Sequence, residues 1–276
     1  MQPKWLIEPL NDSKTETAMV NAVKSKGYEC VVTKYKPFES GAYTEFADED
    51  CVVFCGSLNL ARQLVKQKNW VPGPWLTLKN YECSCYYTFL GEFLFNRNYA
   101  ILPRTEIKNN RQFVWNAFGE SECVFMRPNS GFKTFTGQVF AANSFDADWL
   151  WVEANTEPDS LVVVSTPKNI KLECRFVVAE GNIVTSSSYR CHGALKYDVE
   201  VPQKATEKCK NILAVKDWAP DPIWVIDICS DMLDNFYLLE IGSFSCAGLY
   251  NCDYNKIVEV ASALALKEWN EYYYKQ

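Results

Sequence analysis

Residues 223–250 read IWVIDICSDMLDNFYLLEIGSFSCAGLY, and the rest of the chain is organised around them. Two apolar runs alternate with period two on either side of SDMLDN, a turn rich in Asp and Asn, and this pattern predicts a β-hairpin. On the first strand Trp224, Ile226 and Ile228 share one face, and Ile223, Val225, Asp227 and Cys229 share the other. On the second strand simple alternation groups Phe236, Leu238 and Glu240. A register centred on Leu233–Asp234 sets Asp227 opposite Glu240. Two carboxylates facing each other among apolar neighbours repel and lose hydration, an unfavourable pairing unless a cation sits between them. A hard ion such as Mg²⁺, which takes one or two carboxylates plus substrate phosphates, suits that pair. An edge hairpin with both acids in water is the alternative reading.

Upstream of the hairpin, ECVFMRP is a strand ending in Arg127, NSGFK is a tight turn, and Lys133 precedes the next extended run, TFTGQVF. Two cations flanking an Asn-Ser-Gly turn match a phosphate cradle, with backbone N–H groups assisting; exposed turn cations are the plainer account. LVVVSTP is apolar throughout and predicts a buried strand. IKLECRFVVAEGNIVTSSSYR predicts two strands around Glu180-Gly181-Asn182. There Glu173 and Arg175 project to one face and Leu172, Cys174, Phe176 and Val178 to the other; as a surface ion pair the former would contribute little. FDADWLWVEAN, KATEKCKNILAVKDW and the closing YNKIVEVASALALKEWNEYYYK read as helices.

Residues 1–110 alternate strand and helix patterns and predict a small parallel sheet. KWLIEPL is a strand. A helix follows with a cap at Asp12 or Ser13 and a stop at Gly27, then YECVVTKY, then CVVFCGS leading into LNLARQLVKQKNW with Ser57 or Asn59 as N-cap. VPGPW breaks the pattern before an aromatic-rich helix. The polar, aperiodic PRTEIKNNR around 103–111 marks the expected boundary between a domain of residues 1–110 and one of 111–276.

The whole chain, 276 residues with 48% apolar and 22% charged side chains, is long enough to bury a sizeable core. A net charge of −6 argues against non-specific nucleic-acid binding. No apolar run approaches a membrane span or a signal-peptide core, and a chain of this size does not depend on disulfides, so the twelve cysteines read as reduced thiols of a cytoplasmic protein. No C-x-x-C spacing suggests zinc. The single histidine, His192, has no nucleophile elbow beside it, which removes Ser–His–Asp chemistry.

Taken in order, FMRPNSGFKTFTG, LVVVSTPKNIKLECRFVVAEGNIVTSSSYR, DWAPDPIWVIDI and FYLLEIGSFSCAGLYNCD resemble the ATP-grasp superfamily. The resemblance is to the phage and bacterial branch related to ribosomal-protein glutamate ligases, and it covers roughly half the chain. It implies an α+β/α/β protein in which two α+β subdomains clasp ATP, preceded by a small α/β domain. It also implies a ligase that uses ATP and Mg²⁺ to join a carboxylate to an amine through an acylphosphate, the partners being small molecules, peptides or protein tails. By the same resemblance Arg127 and Lys133 contact the phosphates, Val164 and Ser165 form the hinge facing adenine, Glu173 and Arg175 stand at an acid and a phosphate- or intermediate-binding arginine, and Asp227 and Glu240 hold the metal. One departure stands out. Many relatives carry Glu-x-Asn at the second metal acid, and this chain has Glu240-Ile241-Gly242. A nucleotide-binding module that has lost ligation, and a host-interaction protein using the aromatic run 81–95 or the last helix, are the competing readings.

Overall fold

The structure, a computed structural model, describes residues 1–9, 13–36, 45–215 and 217–274. The N-terminal region is a parallel sheet, ordered β2-β1-β3-β4, built from β1 (Lys4–Ile7), β2 (Glu29–Val32), β3 (Cys51–Cys55) and β4 (Val71–Gly73). Helix α1 (Ser13–Ser25) connects β1 to β2 and α2 (Leu58–Gln67) connects β3 to β4. Trp5, Leu6 and most of CVVFC are fully buried, as a strand covered on both faces requires. Gly27 ends α1 with φ +77, a conformation that costs glycine nothing. Ser57 caps α2, its hydroxyl accepting from the Leu60 N–H, and the Gly56–Ser57 turn is therefore a helix start. The cap expected at Asp12 lies outside the described residues.

The aromatic stretch that follows forms α3 (Cys83–Leu90) between two short 3₁₀ turns. Tyr81, Tyr86, Tyr87, Leu90 and Leu94 are buried in a core, which leaves Phe89, 36% exposed, as the large apolar side chain this run presents to solvent. Residues 103–111, expected to be irregular, are largely helical: α4 (Arg104–Asn109) and α5 (Arg111–Phe118) meet at Asn110. Ile107 and Val114, too few to show periodicity, anchor them.

Next come β5 (Tyr99–Pro103), which precedes α4 in the chain, β6 (Cys123–Pro128), β7 (Gln138–Ala141), α6 (Phe145–Asn155) and β8 (Leu161–Ser165). These strands form an antiparallel sheet ordered β5-β8-β6-β7, with α5 and α6 packed on one face around Phe145, Trp149 and Val164. Strand β5 thus lies before the boundary expected at residue 110 yet pairs with β8 beyond it.

The central sheet is β9 (Leu172–Ala179), β10 (Asn182–Cys191), β11 (Ala194–Leu195), β12 (Ile223–Ser230) and β13 (Phe236–Ser243), ordered β11-β10-β9-β12-β13, with α7 (Gln203–Val215) packed on one face. Helix α8 (Tyr254–Tyr274) returns to the N-terminal sheet, and its Ile257, Ala261 and Leu264 share a core with Trp5, Val177 and Val225. Among the described residues no helix is long and apolar enough to cross a membrane.

The decisive hairpin forms with Asp227 paired to Glu240, but the next pair is Ile228 with Leu238. Leu239 is an extra residue, a β-bulge. Simple alternation is corrected accordingly: Phe236, Leu238 and Ile241 enter the core beneath the sheet, and Glu240 shares the opposite face with Asp227. Strand β10 is bulged twice, at Val184 and at Tyr189, the latter separating the pairs Ser188–Cys174 and Arg190–Glu173.

Candidate active site

The face of the central sheet carrying Asp227 divides in two. Toward one end Val177, Ile223 and Val225 pack under α8. Toward the other, Glu173, Arg175, Tyr189 and Glu240 open into a cavity of about 640 Å³, closed on the far side by Phe125, Arg127 and the 131–137 loop. Strand pairing sets the spacing: Asp227 lies between Arg175 on β9 and Glu240 on β13, so three chemically active side chains share one row across adjacent strands.

Arg175 grips Asp227 bidentately, with Nε to Oδ1 at 2.8 Å and Nη2 to Oδ2 at 2.7 Å, while its Nη1 donates to the Gly248 carbonyl at 2.7 Å. Asp227 is 1% exposed, and a charge buried so deeply persists only with such a partner. Glu240 is held from the other sheet. Arg127 Nη2 donates to Oε2 and Lys133 Nζ to Oε1, both at 3.0 Å. Burial alone would push the Glu240 carboxyl up, but Lys133, Arg127 and Arg175 outweigh it and hold the group well below the ordinary carboxylate range. Arg127 and Lys133 therefore join the two sheets through one carboxylate.

Tyr189, which the periodicity of β10 does not single out, bridges the remaining acids. Its hydroxyl donates to Glu173 Oε2 at 2.6 Å and lies 3.3 Å from Asp227 Oδ2. Burial raises the Glu173 carboxyl, and the hydrogen bond from Tyr189 and the charge of Arg190, 3.5 Å away, work against that rise. The Tyr189 ring stacks on Tyr250 at 4.6 Å, and the Arg175 guanidinium lies over both rings. Tyr250 has φ +49, an uncommon conformation for a bulky residue. Four cations, Arg127, Lys133, Arg175 and Arg190, thus face three carboxylates, Glu173, Asp227 and Glu240. A polyanion entering here meets donors that already hold anionic oxygens.

Six of the eight residues singled out from sequence converge: Arg127, Lys133, Glu173, Arg175, Asp227 and Glu240. Val164 and Ser165 do not. Val164 is buried in the core between the antiparallel sheet and its helices, and Ser165 is 1% exposed in β8, an interior strand between β5 and β6. The chain reaches the cavity only after β8, where Ile170 lines it. Sequence reading misses Tyr189, Arg190, Leu239 and Tyr250; the period-two pattern signals none of the bulged positions, and Tyr250 lies beyond the last strand.

The donor set suits Mg²⁺. Two carboxylates on adjacent strands are the donors such an ion takes, Glu240 from the cavity wall and Asp227 from behind it, where Arg175 holds both its oxygens. Among the described residues no group of three or more His, Cys, Asp or Glu forms an all-protein cage. Asp227 and Glu240 would hold the ion.

Comparison with known proteins bears on this arrangement. A family model describing an ATP-grasp domain, the second family of its clade, matches residues 106–260, more than half of the chain. No curated protein sequence matches. Among solved structures the chain is similar to D-cycloserine synthetase DcsG, with a TM-score of 0.62 and 14% identity over 96% of this chain and 99% of that one. It is also similar to D-alanine–D-alanine ligase from Bacillus anthracis, with a TM-score of 0.61 and 13% identity over 99% of each chain. The ATP-grasp ligase PsnB, complexed with a minimal precursor, gives a TM-score of 0.56 and 11% identity over 95% of this chain and 99% of that one. At such identities the likeness is one of fold.

Proposed function

We propose, for a chain that belongs to this ATP-grasp domain family, that it is an ATP-dependent carboxylate–amine ligase. The observation that carries this reading is the convergence of Arg127 and Lys133 on Glu240 beside the Arg175–Asp227 pair, in one cavity between two sheets.

In the first step a substrate carboxylate oxygen attacks the γ-phosphorus of ATP, the bond to the β,γ-bridging oxygen breaks, and ADP leaves. In the second the amine nitrogen attacks the acyl carbon, the carbon–oxygen bond to phosphate breaks, and the amine proton leaves with inorganic phosphate. Phosphoryl transfer of this kind needs alignment and charge neutralisation more than covalent help from the protein. Arg127 and Lys133 bind the nucleotide phosphates. Arg175 orients the carboxylate and its phosphorylated form. Glu173, steadied by Tyr189, keeps Arg190 directed at the cavity. The segment after Ser165, with Ile170 and the bulged Leu239, provides an apolar seat for the base. Asp227 and Glu240 would hold Mg²⁺, which would supply positive charge to the phosphate oxygens, and Gly242 has no side chain to add a ligand.

Peptide substrates are favoured within this reading, because the similar ligase PsnB has been solved in complex with a minimal precursor and the cavity here, about 640 Å³, extends beyond the cation cluster. The protein works as a soluble enzyme of the cytoplasm. The test is ADP release in the presence of Mg²⁺ across a panel of amino acids and short peptides offered as carboxylate and amine, with the product mass measured. An amide product that forms with the parent and not with Glu240→Gln supports the assignment. Nucleotide binding with no amide from any pair supports instead a binding module, the reading that Gly242 favours.

A further inference from the structure

A second cavity, about 430 Å³, lies behind the catalytic one, between α2, the 70–77 segment, Asp221 and α8. Trp70, Pro72, Pro74 and Trp75 form its walls, and Asp221 and Glu268 face into it. Asp221 is 8% exposed, and its oxygens accept from the Thr77 hydroxyl at 2.6 Å, the Tyr81 hydroxyl at 2.6 Å and the Thr77 N–H at 3.2 Å. Glu268 Oε1 accepts from Trp75 Nε1 at 2.9 Å. All of these donors are neutral. Among the described residues no lysine or arginine forms an ion pair with either acid. Lys68, which lines the groove with its ammonium 5.3 Å from the Trp70 ring centroid, is bound to Asp48 at 3.0 Å, and Lys267, beside Glu268 in sequence, to Glu180, so Trp75 is the ring left for an arriving cation. Burial raises both carboxyls against the hydrogen bonds that Asp221 accepts from Thr77 and Tyr81 and Glu268 from Trp75; the charge of Asp221 raises Glu268 further and that of Lys267 lowers it.

A buried carboxylate, Asp221, and a half-buried one, Glu268, that feels its charge are costly to keep ionised without an ion pair, and an arriving cation relieves that cost. Tryptophan walls favour an ammonium or guanidinium group carried on an apolar stem. The position of the groove says what carries that group. Leu76 borders both cavities, and Tyr81, which donates to Asp221, lines the catalytic one. A chain with one basic side chain in the groove runs past Leu76 toward the cation cluster.

We propose that this groove is an exosite for a lysine- or arginine-bearing segment of a peptide substrate. That the peptide is a substrate rests on the ligase reading; its binding does not. The 276-residue chain is titrated by fluorescence anisotropy with two labelled heptapeptides, Gly-Gly-Lys-Leu-Lys-Gly-Gly and the same peptide with norleucine at both lysines. The lysine peptide is expected to bind at least tenfold tighter, with affinity falling as salt rises. Glu268→Gln, which keeps an acceptor for Trp75, is expected to remove about tenfold of that preference. Val65→Arg, at a position 53% exposed on the rim, brings bulk and positive charge to the groove without opening the core and should abolish binding. Equal affinity for the two peptides, or a preference untouched by both substitutions, overturns the proposal. Stabilisation by MgADP is measured in parallel. If it is present without lysine preference, the groove assignment falls and the nucleotide site stands. If it is absent while the preference persists, the exosite stands and the ligase reading falls.

Discussion

Glu240 joins the antiparallel and central sheets at the cavity, with Arg127 and Lys133 both bonded to its carboxylate at 3.0 Å. Glu240→Gln leaves two partly buried cations facing a neutral amide. Its stability cost is expected to be about 2 kcal/mol near neutral pH, below the range for fully buried pairs because Lys133 is half exposed. The pH dependence has a definite sign. The native Glu240 pKa is depressed below its ordinary 4.5, so its contribution is fully present above that value and is lost as pH falls through the native one. The difference between parent and variant in denaturant titrations should be constant from pH 8 to pH 6 and shrink steadily below pH 4.5; a difference that grows on acidification contradicts the assignment. Tyr189→Phe keeps the ring on Tyr250 and removes only the hydroxyl that steadies Glu173. Glu173 is raised by burial and lowered by that hydrogen bond, so the variant's Glu173 should protonate at higher pH. The acidic limb of kcat/KM for ADP release is expected to move to higher pH, at a stability cost of about 1 kcal/mol; an unmoved limb argues against the bridge.

At the scale of elements, bulges decide what faces the cavity. Leu239 is the extra residue of β13, and Tyr189 is one of two on β10, the other being Val184. Deleting Leu239 leaves Asp227 opposite Glu240 and Ile228 opposite Leu238, so the hairpin should keep both registers with a stability change of about 1 kcal/mol. The apolar seat beside the cations is lost, and MgADP affinity should fall at least tenfold in calorimetric titration; unchanged affinity would remove Leu239 from the site. The same bulge marks how far the hairpin was legible in sequence. Alternating IWVIDIC and FYLLEIG specify two strands, and the acidic turn between them specifies the pairing of Asp227 with Glu240. A period-two pattern carries no record of an inserted residue, so it groups Glu240 with Phe236 and Leu238, which belong to the opposite face. Val164 and Ser165 fall outside the cavity for a related reason: LVVVS is apolar because it is an interior strand, and the segment that reaches the cavity is the polar one after it. PRTEIKNNR shows the opposite failure, two short helices whose few buried residues leave no helical period to detect.

At the scale of the molecule, α8 ties the last residues to the first sheet, where Trp5 Nε1 donates to Ser262 Oγ at 3.1 Å. The 70–81 segment separates the catalytic cavity from the acidic groove. The ordered succession of motifs made the family readable, and it named residues that meet at one place because strand pairing carries Arg175, Asp227 and Glu240 into one row. The groove was not readable, since Asp221 and Glu268 lie far apart in the chain and only the return of α8 brings them together. The most direct test of the nucleotide site is thermal unfolding of the intact protein with Mg²⁺ alone, with Mg²⁺ and ADP, and with Mg²⁺ and ATP, repeated for Arg127→Met. A ligand that binds only the folded state adds about 2.7 kcal/mol at 100 times its dissociation constant. The expected result is a rise in Tm with either nucleotide in the parent and a much smaller one in the variant. No rise at millimolar nucleotide, or an equal rise in both proteins, would contradict a phosphate site built on Arg127, Lys133 and Glu240.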